Sequence, residues 1–170
     1  MEPESLILNV AREALKNPKK FIIAGNNGPY HDPETNLRVY GHWLITFSFC
    51  YKLTKNISFI NKVNELAENM ISSKYRPKNA SFHHRNKAGT DRCNGLIGQA
   101  WTFEALSEAS NILNNNIYVK IAREVFFKHK FNENFGLWHS LEINGKILSI
   151  DDTFNHQLWF AACSLLLSNN

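Results

Sequence analysis

The sequence predicts an all-α protein of the (α/α) toroid type, built from about three helical hairpins, with a small β-hairpin near residues 137–150. Three observations predict it. Tryptophans stand at positions 43, 101 and 159, so successive ones are 58 residues apart. Segments apolar on one side alternate with segments apolar nearly all round. Each all-round apolar segment is reached through a long polar loop, whereas the turns leading out of such segments are short. Helices that are greasy on several sides suit an inner ring, one-sided helices suit an outer ring, and the long loops then share one face; a linear helical solenoid is the competing geometry, but its repeats are typically ~34–47 residues with short loops on both faces.

The elements follow in order. A first helix over about 4–16 starts after Pro3, is stopped by Asn17-Pro18, and carries Leu6, Ile7, Val10, Ala14 and Leu15 as one stripe. A loop from Lys19 to Tyr40 is rich in breakers, among them Gly28-Pro29 and Asp32-Pro33. The second helix, about 41–54, is apolar all round, and the third, about 57–72, has a single stripe running through Phe59, Val63, Leu66 and Met70. The loop from Ser73 to Asn94 is the most basic part of the chain, with Lys74, Arg76, Lys78, Arg85, Lys87 and Arg92. A fourth, broadly apolar helix (about 95–113) ends at Asn114-Asn-Asn116, and a one-sided fifth spans about 116–129. Ile121-Ala-Arg-Glu-Val125 in the fifth helix echoes Val10-Ala-Arg-Glu-Ala14 in the first. Asn144-Gly145 between two alternating apolar runs predicts a hairpin with a type I′ turn. The sixth helix, about 154–168, is read as buried, and the whole chain, 1–170, as one domain.

Composition narrows the function classes. A net charge of +4 is mild and gives no argument for nucleic acid as a partner. No apolar run reaches the ~18 residues that a membrane span needs, and the N-terminus lacks the features of a signal peptide. Cys50, Cys93 and Cys163, an odd number, fit free thiols in a reducing compartment, so the expected location is cytoplasmic. No Gly-rich phosphate loop occurs, and no cofactor is expected.

The phrases Tyr40-Gly-His-Trp-Leu44, Asn94-Gly-Leu-Ile-Gly-Gln-Ala-Trp101 and Asn155-His-Gln-Leu-Trp-Phe160 resemble the six-hairpin glycosidase superfamily. Within it they look like the type found among polysaccharide-biosynthesis genes. The resemblance covers almost the whole chain and rests on a pattern of helix entrances, so it bears on fold more than on chemistry. The ring in that superfamily has six hairpins. This chain resembles an N-terminal half, which implies completion by a homodimer or by a missing C-terminal half.

The resemblance implies a carbohydrate-active protein with an oligo- or polysaccharide substrate, here an anionic one because of the basic loop. Glycosidase chemistry needs one carboxylic acid to protonate the leaving oxygen and a second group to activate water or attack. Asp91 and Asp152, with Asp151 beside it, stand at equivalent helix entrances and are the acid/base candidates; capping of helix N-termini is the competing reading. Members that cleave unsaturated uronyl sugars use an aspartate at the mouth, but their motif has no residue-by-residue match here. His42 and His156, near the repeat tryptophans, are candidate proton carriers or hydroxyl ligands. Arg38, Arg92, Asn94, Gln99, Trp138 and Asn155 are the substrate-binding candidates, with the tying of loops to helix ends as the equal alternative for Asn94, Gln99, Asn155 and Gln157, and Tyr30 and Tyr75 are further loop aromatics able to stack on sugar. Trp43, Trp101 and Trp159 are read as core, because a strictly repeated large aromatic suits packing between inner helices. A non-catalytic glycan-binding or biosynthesis accessory protein is the alternative function. Less favoured is a zinc-dependent enzyme like the lanthionine cyclases, since Cys93-Asn-Gly-Leu-Ile-Gly98 looks like their Cys-x-Gly-x-x-Gly turn; no ligand set for a metal is read here, because His83, His84 and His139 would have to converge on Cys93.

Overall fold

Helices carry most of the computed structural model, which describes residues 2–27 and 31–168; Gly28, Pro29 and Tyr30 lie outside the described residues. The α-helices are α1 (Pro3–Lys16), α2 (Pro18–Phe21), α3 (Leu37–Thr54), α4 (Ile57–Ile71), α5 (Gly95–Leu113), α6 (Ile117–Lys128) and α7 (Phe154–Leu166). Short α2 was not expected: Pro18 ends α1, but its fixed φ also suits a first helical position, so one more turn forms. Helix α3 begins at Leu37, earlier than expected, and so carries Arg38 and Tyr40, which the sequence placed in the loop.

Helices α3, α5 and α7 form an inner row, with α5 packed on both others. They run parallel. Near its start α3 meets α5, where a Cβ on Gly41 would lie 3.3 Å from Ala105 Cβ, and near its end Lys52 pairs with Glu108 at 2.7 Å. Gly95 at the start of α5 adjoins Asp151 and His156, and further along Ser107 Oγ donates to Leu166 O at 3.1 Å. Helices α1, α4 and α6 back this row; α4 packs on α3 and α5, and α6 packs on α5. Turns from inner to outer helices are tight. Lys55 takes a left-handed conformation and Asn56 caps α4 through Ser58 N–H at 2.9 Å, while Asn114 closes α5 with φ 51°.

Central α5 buries twelve of its 19 residues, as a helix with neighbours on three sides must. Outer α4 buries one stripe, Phe59, Val63, Leu66, Ala67 and Met70. Helix α7 departs from expectation. Despite its apolar sequence only Gln157, Phe160 and Cys163 are buried within it, because it has α5 on one side and nothing on the other among the described residues. Trp159 is consequently 45 % exposed, and Trp43 and Trp101 are half-buried, so the repeated indoles lie at the margin of the core rather than in it.

Strands occur in the first and third long loops: the hairpin expected near 137–150 is present, and the small antiparallel pair in the first loop and the added strand before the hairpin were not expected. Strands β1 (Asn26–Asn27) and β2 (Asp32–Pro33) pair in the first loop. In the third, β3 (Phe131–Asn132), β4 (Leu137–Leu141) and β5 (Ile147–Ile150) form a sheet in that order, with Phe131 opposite Trp138 and His139 opposite Ile150. Its β4–β5 turn is not type I′. Gly145 N–H donates to Glu142 O at 2.8 Å, and Gly145 at φ 89° is the one residue there with positive φ, the pattern of a type I turn with a G1 bulge. No described helix is long and apolar enough to cross a membrane.

Candidate functional site

The long loops meet above the start of α5. Two glutamines hold them there. Gln99, fully buried, accepts Phe82 N–H at 2.8 Å and donates to Phe82 O at 3.0 Å and Cys93 O at 2.8 Å. Gln157, placed 58 residues later, repeats the device: it accepts Trp138 N–H at 2.9 Å and donates to Trp138 O at 2.9 Å and Asp151 O at 2.6 Å. Each primary amide thus pairs with a loop backbone as a neighbouring strand would. The first hairpin has Gly41 at this phase, where an added Cβ would crowd Ala105 Cβ at 3.3 Å. Gln99 was a substrate-binding candidate; its amide is used up inside the fold.

Downstream of these clamps the backbone turns sharply. Asp91, Asn94 and Gly95 all have left-handed φ, at 64°, 58° and 57°. Two of these three are not glycine, and such strain is sustained only by surrounding contacts. Asp91 Oδ1 accepts Gly95 N–H at 2.7 Å, and Asp91 Oδ2 accepts from Arg85 Nη1 at 2.6 Å. Asp151 comes from the third loop, and its Oδ2 accepts Leu96 N–H at 3.0 Å. Its two oxygens lie 3.2 and 3.1 Å from His156 Nδ1, and Oδ1 also accepts Thr153 N–H at 3.2 Å. Carboxylates from separate loops therefore share the first two N–H groups of one helix, where the helix dipole favours negative charge. A cavity of about 420 Å³ opens over them, lined by Arg85, Asp91, Asn94, Asp151, Asp152 and His156 among others.

The sequence candidates distribute unevenly over this geometry. Asp91, Asn94 and His156 line the cavity as expected. Asp152 lines it too, but is exposed and makes no side-chain hydrogen bond or ion pair among the described residues; the residue tied to α5 is its neighbour Asp151. Neither aspartate caps α7, whose N-cap is Thr153. His42 instead lines an apolar groove between α1 and α3. Arg38 pairs with Glu34 at 3.0 Å and covers the Trp101 ring at 4.4 Å. Arg92 pairs with buried Glu142 at 3.4 Å. Trp138 is half-buried among Phe126, Phe131 and Phe160, Tyr75 is buried, and neither lines the cavity. Asn155 is exposed and outside the cavity lining.

Four of the six Lys and Arg side chains of the basic loop face carboxylates. Arg85 pairs with Asp91, Lys87 with Asp32 at 3.3 Å, Arg92 with Glu142, and Arg76 approaches Glu124 at 3.9 Å. Cys93 is buried, and burial together with the nearby Asp91 carboxylate pushes its thiol up, the reverse of what a nucleophilic thiolate needs. His83 Nε2 faces Arg85 O at 2.9 Å, His84 Nε2 faces Thr102 Oγ1 at 2.9 Å, and His139 Nδ1 faces Leu148 O at 2.9 Å. Among the described residues no group of three or more His, Cys, Asp or Glu side chains could hold a metal ion.

Parallel inner helices with clamped loops and an acidic mouth define a helical-hairpin scaffold with one polar cavity at the entrance of its central helix. The chain is similar to the archaeal glycosylation protein Q of Haloferax volcanii, with 44 % identity over 156 residues, 92 % of this chain and 42 % of that protein. It thus spans less than half the length of this relative. No family model and no solved structure matches it.

Proposed function

We propose that this chain works on glycans, as part of a carbohydrate-active (α/α) toroid of the six-hairpin glycosidase type, and that Asp91 and Asp151 are its acid/base pair. The observation carrying the reading is the convergence of two loop carboxylates, 60 positions apart, on the first turn of α5, beside a histidine and under one cavity. Hydrolysis of a glycosidic bond needs this combination. One carboxyl group gives a proton to the leaving oxygen as the bond to the anomeric carbon breaks, and the other takes a proton from the water that attacks that carbon. His156, against both oxygens of Asp151, orients that carboxylate. A relative named for glycosylation supports glycans as the substrate class.

The cavity does not favour an anionic sugar. It is lined by three carboxylates, with Arg85 and His156 as the basic groups, and Arg85 is paired to Asp91. A hydroxyl-rich, uncharged oligosaccharide fits this better than a uronate.

Reducing-end release from panels of neutral and uronate-bearing oligosaccharides tests the reading. Asp91→Asn and Asp151→Asn keep an acceptor oxygen for the α5 N–H groups, and each is expected to lower kcat at least ~100-fold with the fold intact. Unchanged turnover in either variant removes that residue from the chemistry. One observation favours a second reading, a glycan-binding module without turnover: both carboxylates already serve helix N–H groups. Binding to a glycan array without bond cleavage on prolonged incubation would select it.

A further inference from the structure

Two basic side chains of the second loop, Lys74 and Lys78, face no carboxylate among the described residues. Lys74 lies 5.1 Å from the centre of the Tyr75 ring. Lys78 makes no hydrogen bond or ion pair among the described residues, and it lines a cavity of about 330 Å³. Three segments distant in sequence enclose this space: the turn Pro77–Asn79 with Ala80, the end of α6 at Lys128, and the tip of the β4–β5 hairpin at Asn144 and Gly145. It is separate from the cavity at the mouth. Ser140 and Leu148 line the mouth cavity, while their chain neighbours Leu141 and Ile147 line this one, so the hairpin stands between the two.

Its charge is one-sided. Lys78 and Lys128 line it, Lys146 sits in the chain between the lining residues Gly145 and Ile147, and no Asp or Glu lines it. Lys128 Nζ donates to Asn79 O, which holds its ammonium beside the residue after Lys78. Ammonium groups brought to one cavity without a counter-charge repel one another, and a bound anion relieves that repulsion. The backbone is strained at the same place. Lys78 and Asn79 are consecutive, neither is glycine, and both have left-handed φ, 60° and 52°. Strain of this kind collects at ligand clamps and switch segments.

Size and donor type say which anion fits. A volume of about 330 Å³ lies at the lower end of the ~300–1,000 Å³ range of small-molecule sites. Lysines act as point charges with rotatable donors, and two of them across a cavity suit the oxygens of a tetrahedral phosphate. The planar fork that reads a carboxylate belongs to arginine, and no arginine lines this cavity. Leu141, Ala80 and Ile147 give an apolar wall for a carbon body. Asn144 Oδ1 is taken by Lys146 N–H, which leaves its amide N–H groups for hydroxyls. We infer that this cavity binds the phosphate group of a phosphate ester, with Lys78 and Lys128 as donors to its oxygens. The three aspartates lining the mouth cavity would repel the same group, so the two sites take ligands of different charge. The inference does not rest on what the mouth cavity does.

Titration of the ¹⁵N-labelled protein, followed by nuclear magnetic resonance at constant ionic strength, tests it. The probes are inorganic phosphate and glucose 1-phosphate, with glucose and acetate as controls. Vesicles of phosphatidic acid, with phosphatidylcholine as control, form a second arm. The phosphates should shift the amide signals of Ala80, Asn144 and Gly145 to saturation, and the controls should not. Response to the soluble probes places the phosphate on a free ester; response to phosphatidic acid vesicles alone places it on a lipid headgroup. Lys78→Asn and Lys128→Gln should each weaken binding about 10-fold, the scale of one charge-assisted hydrogen bond. Asparagine tolerates left-handed φ, so Lys78→Asn keeps the backbone and removes a like charge. Its urea midpoint should hold level or rise, whereas a merely structural lysine would lower it. The inference is overturned by the absence of any response to phosphate, by an equal response to acetate, by binding that neither substitution weakens, or by a Lys78→Asn variant that loses stability and binds as the parent does.

Discussion

Gln99→Met removes the clamp on the second loop while leaving its shape nearly unchanged. Three backbone groups lose their partner: Phe82 N–H, Phe82 C=O and Cys93 C=O. Phe82 and Cys93 are fully buried, so water cannot replace the amide without opening the loop. A buried polar group left unpaired costs about 1–3 kcal/mol, and the variant saves the desolvation of the glutamine amide itself. The net loss should be about 3–5 kcal/mol, a large fraction of the ~5–15 kcal/mol that holds a domain together. For a chain of this size that corresponds to a fall in Tm of roughly 6–20 °C. Urea unfolding followed by far-ultraviolet circular dichroism measures it. Gln157→Met provides the comparison: Trp138 is half-buried, water can reach part of the break, and the loss should be about half as large. A loss below about 1 kcal/mol for Gln99→Met, with an unchanged m-value, would refute the clamp as a stabilising device.

Three further outcomes follow from the same geometry. Gly95→Ala combines a left-handed φ with a Cβ only 2.7 Å from Asp151 Oδ2, so it should cost about 2–3 kcal/mol. Gly89→Ala, with positive φ but open space, should lose about 1 kcal/mol; equal losses in the two would mean that Asp151 does not hold its position against α5. Asp152→Ala should leave stability within about 0.5 kcal/mol of the parent, while Asp151→Ala, which strips acceptors from Leu96 N–H and Thr153 N–H, should lose 1 kcal/mol or more by the same unfolding assay, roughly. Acid should also destabilise the fold. Burial holds His84 at about 3 and His129 at about 4, against an ordinary value of 6.5. Between those values the unfolded chain binds protons that the folded chain refuses, so stability is full above about pH 6.5 and declines as pH falls toward 4. The loss is on the order of 3 kcal/mol from His129 alone. A urea midpoint that stays level from pH 7 to pH 4.5 would contradict this.

Much of the helical scaffold could be read from the residues. Apolar periodicity located α1, α3, α4, α5, α6 and α7, and the spacing of Trp43, Trp101 and Trp159 ordered the inner row. Burial of those indoles could not be read, because it depends on whether a helix has a neighbour. Trp159 sits on an end helix and is open on one side. The acids were half legible. Asp91 lies on the cavity, at the helix entrance where the sequence put it, but which of Asp151 and Asp152 reaches the α5 N–H groups depends on how the chain rotates into α7, and adjacent residues point in different directions. Of the two roles open to Gln99, the structure shows the tie between loop and helix end, and the signal for it was present: Gln99 and Gln157 share the tryptophan period, and a repeated amide at helix entrances points to framework. Charge on the second loop was a poor guide for a related reason, since Asp32 and Glu142, the partners of Lys87 and Arg92, come from distant segments that composition cannot bring together, while Asp91, the partner of Arg85, lies in the loop itself.

The glutamine clamps grip main-chain amides and carbonyls, never the side chains of Phe82, Cys93, Trp138 or Asp151. Any residue type can supply the carbonyl, and all but proline the N–H. The clamps set the path of the loops without dictating which side chains those loops carry, so loop residues that hold no helix N–H group can be rewritten while the mounting stays as it is.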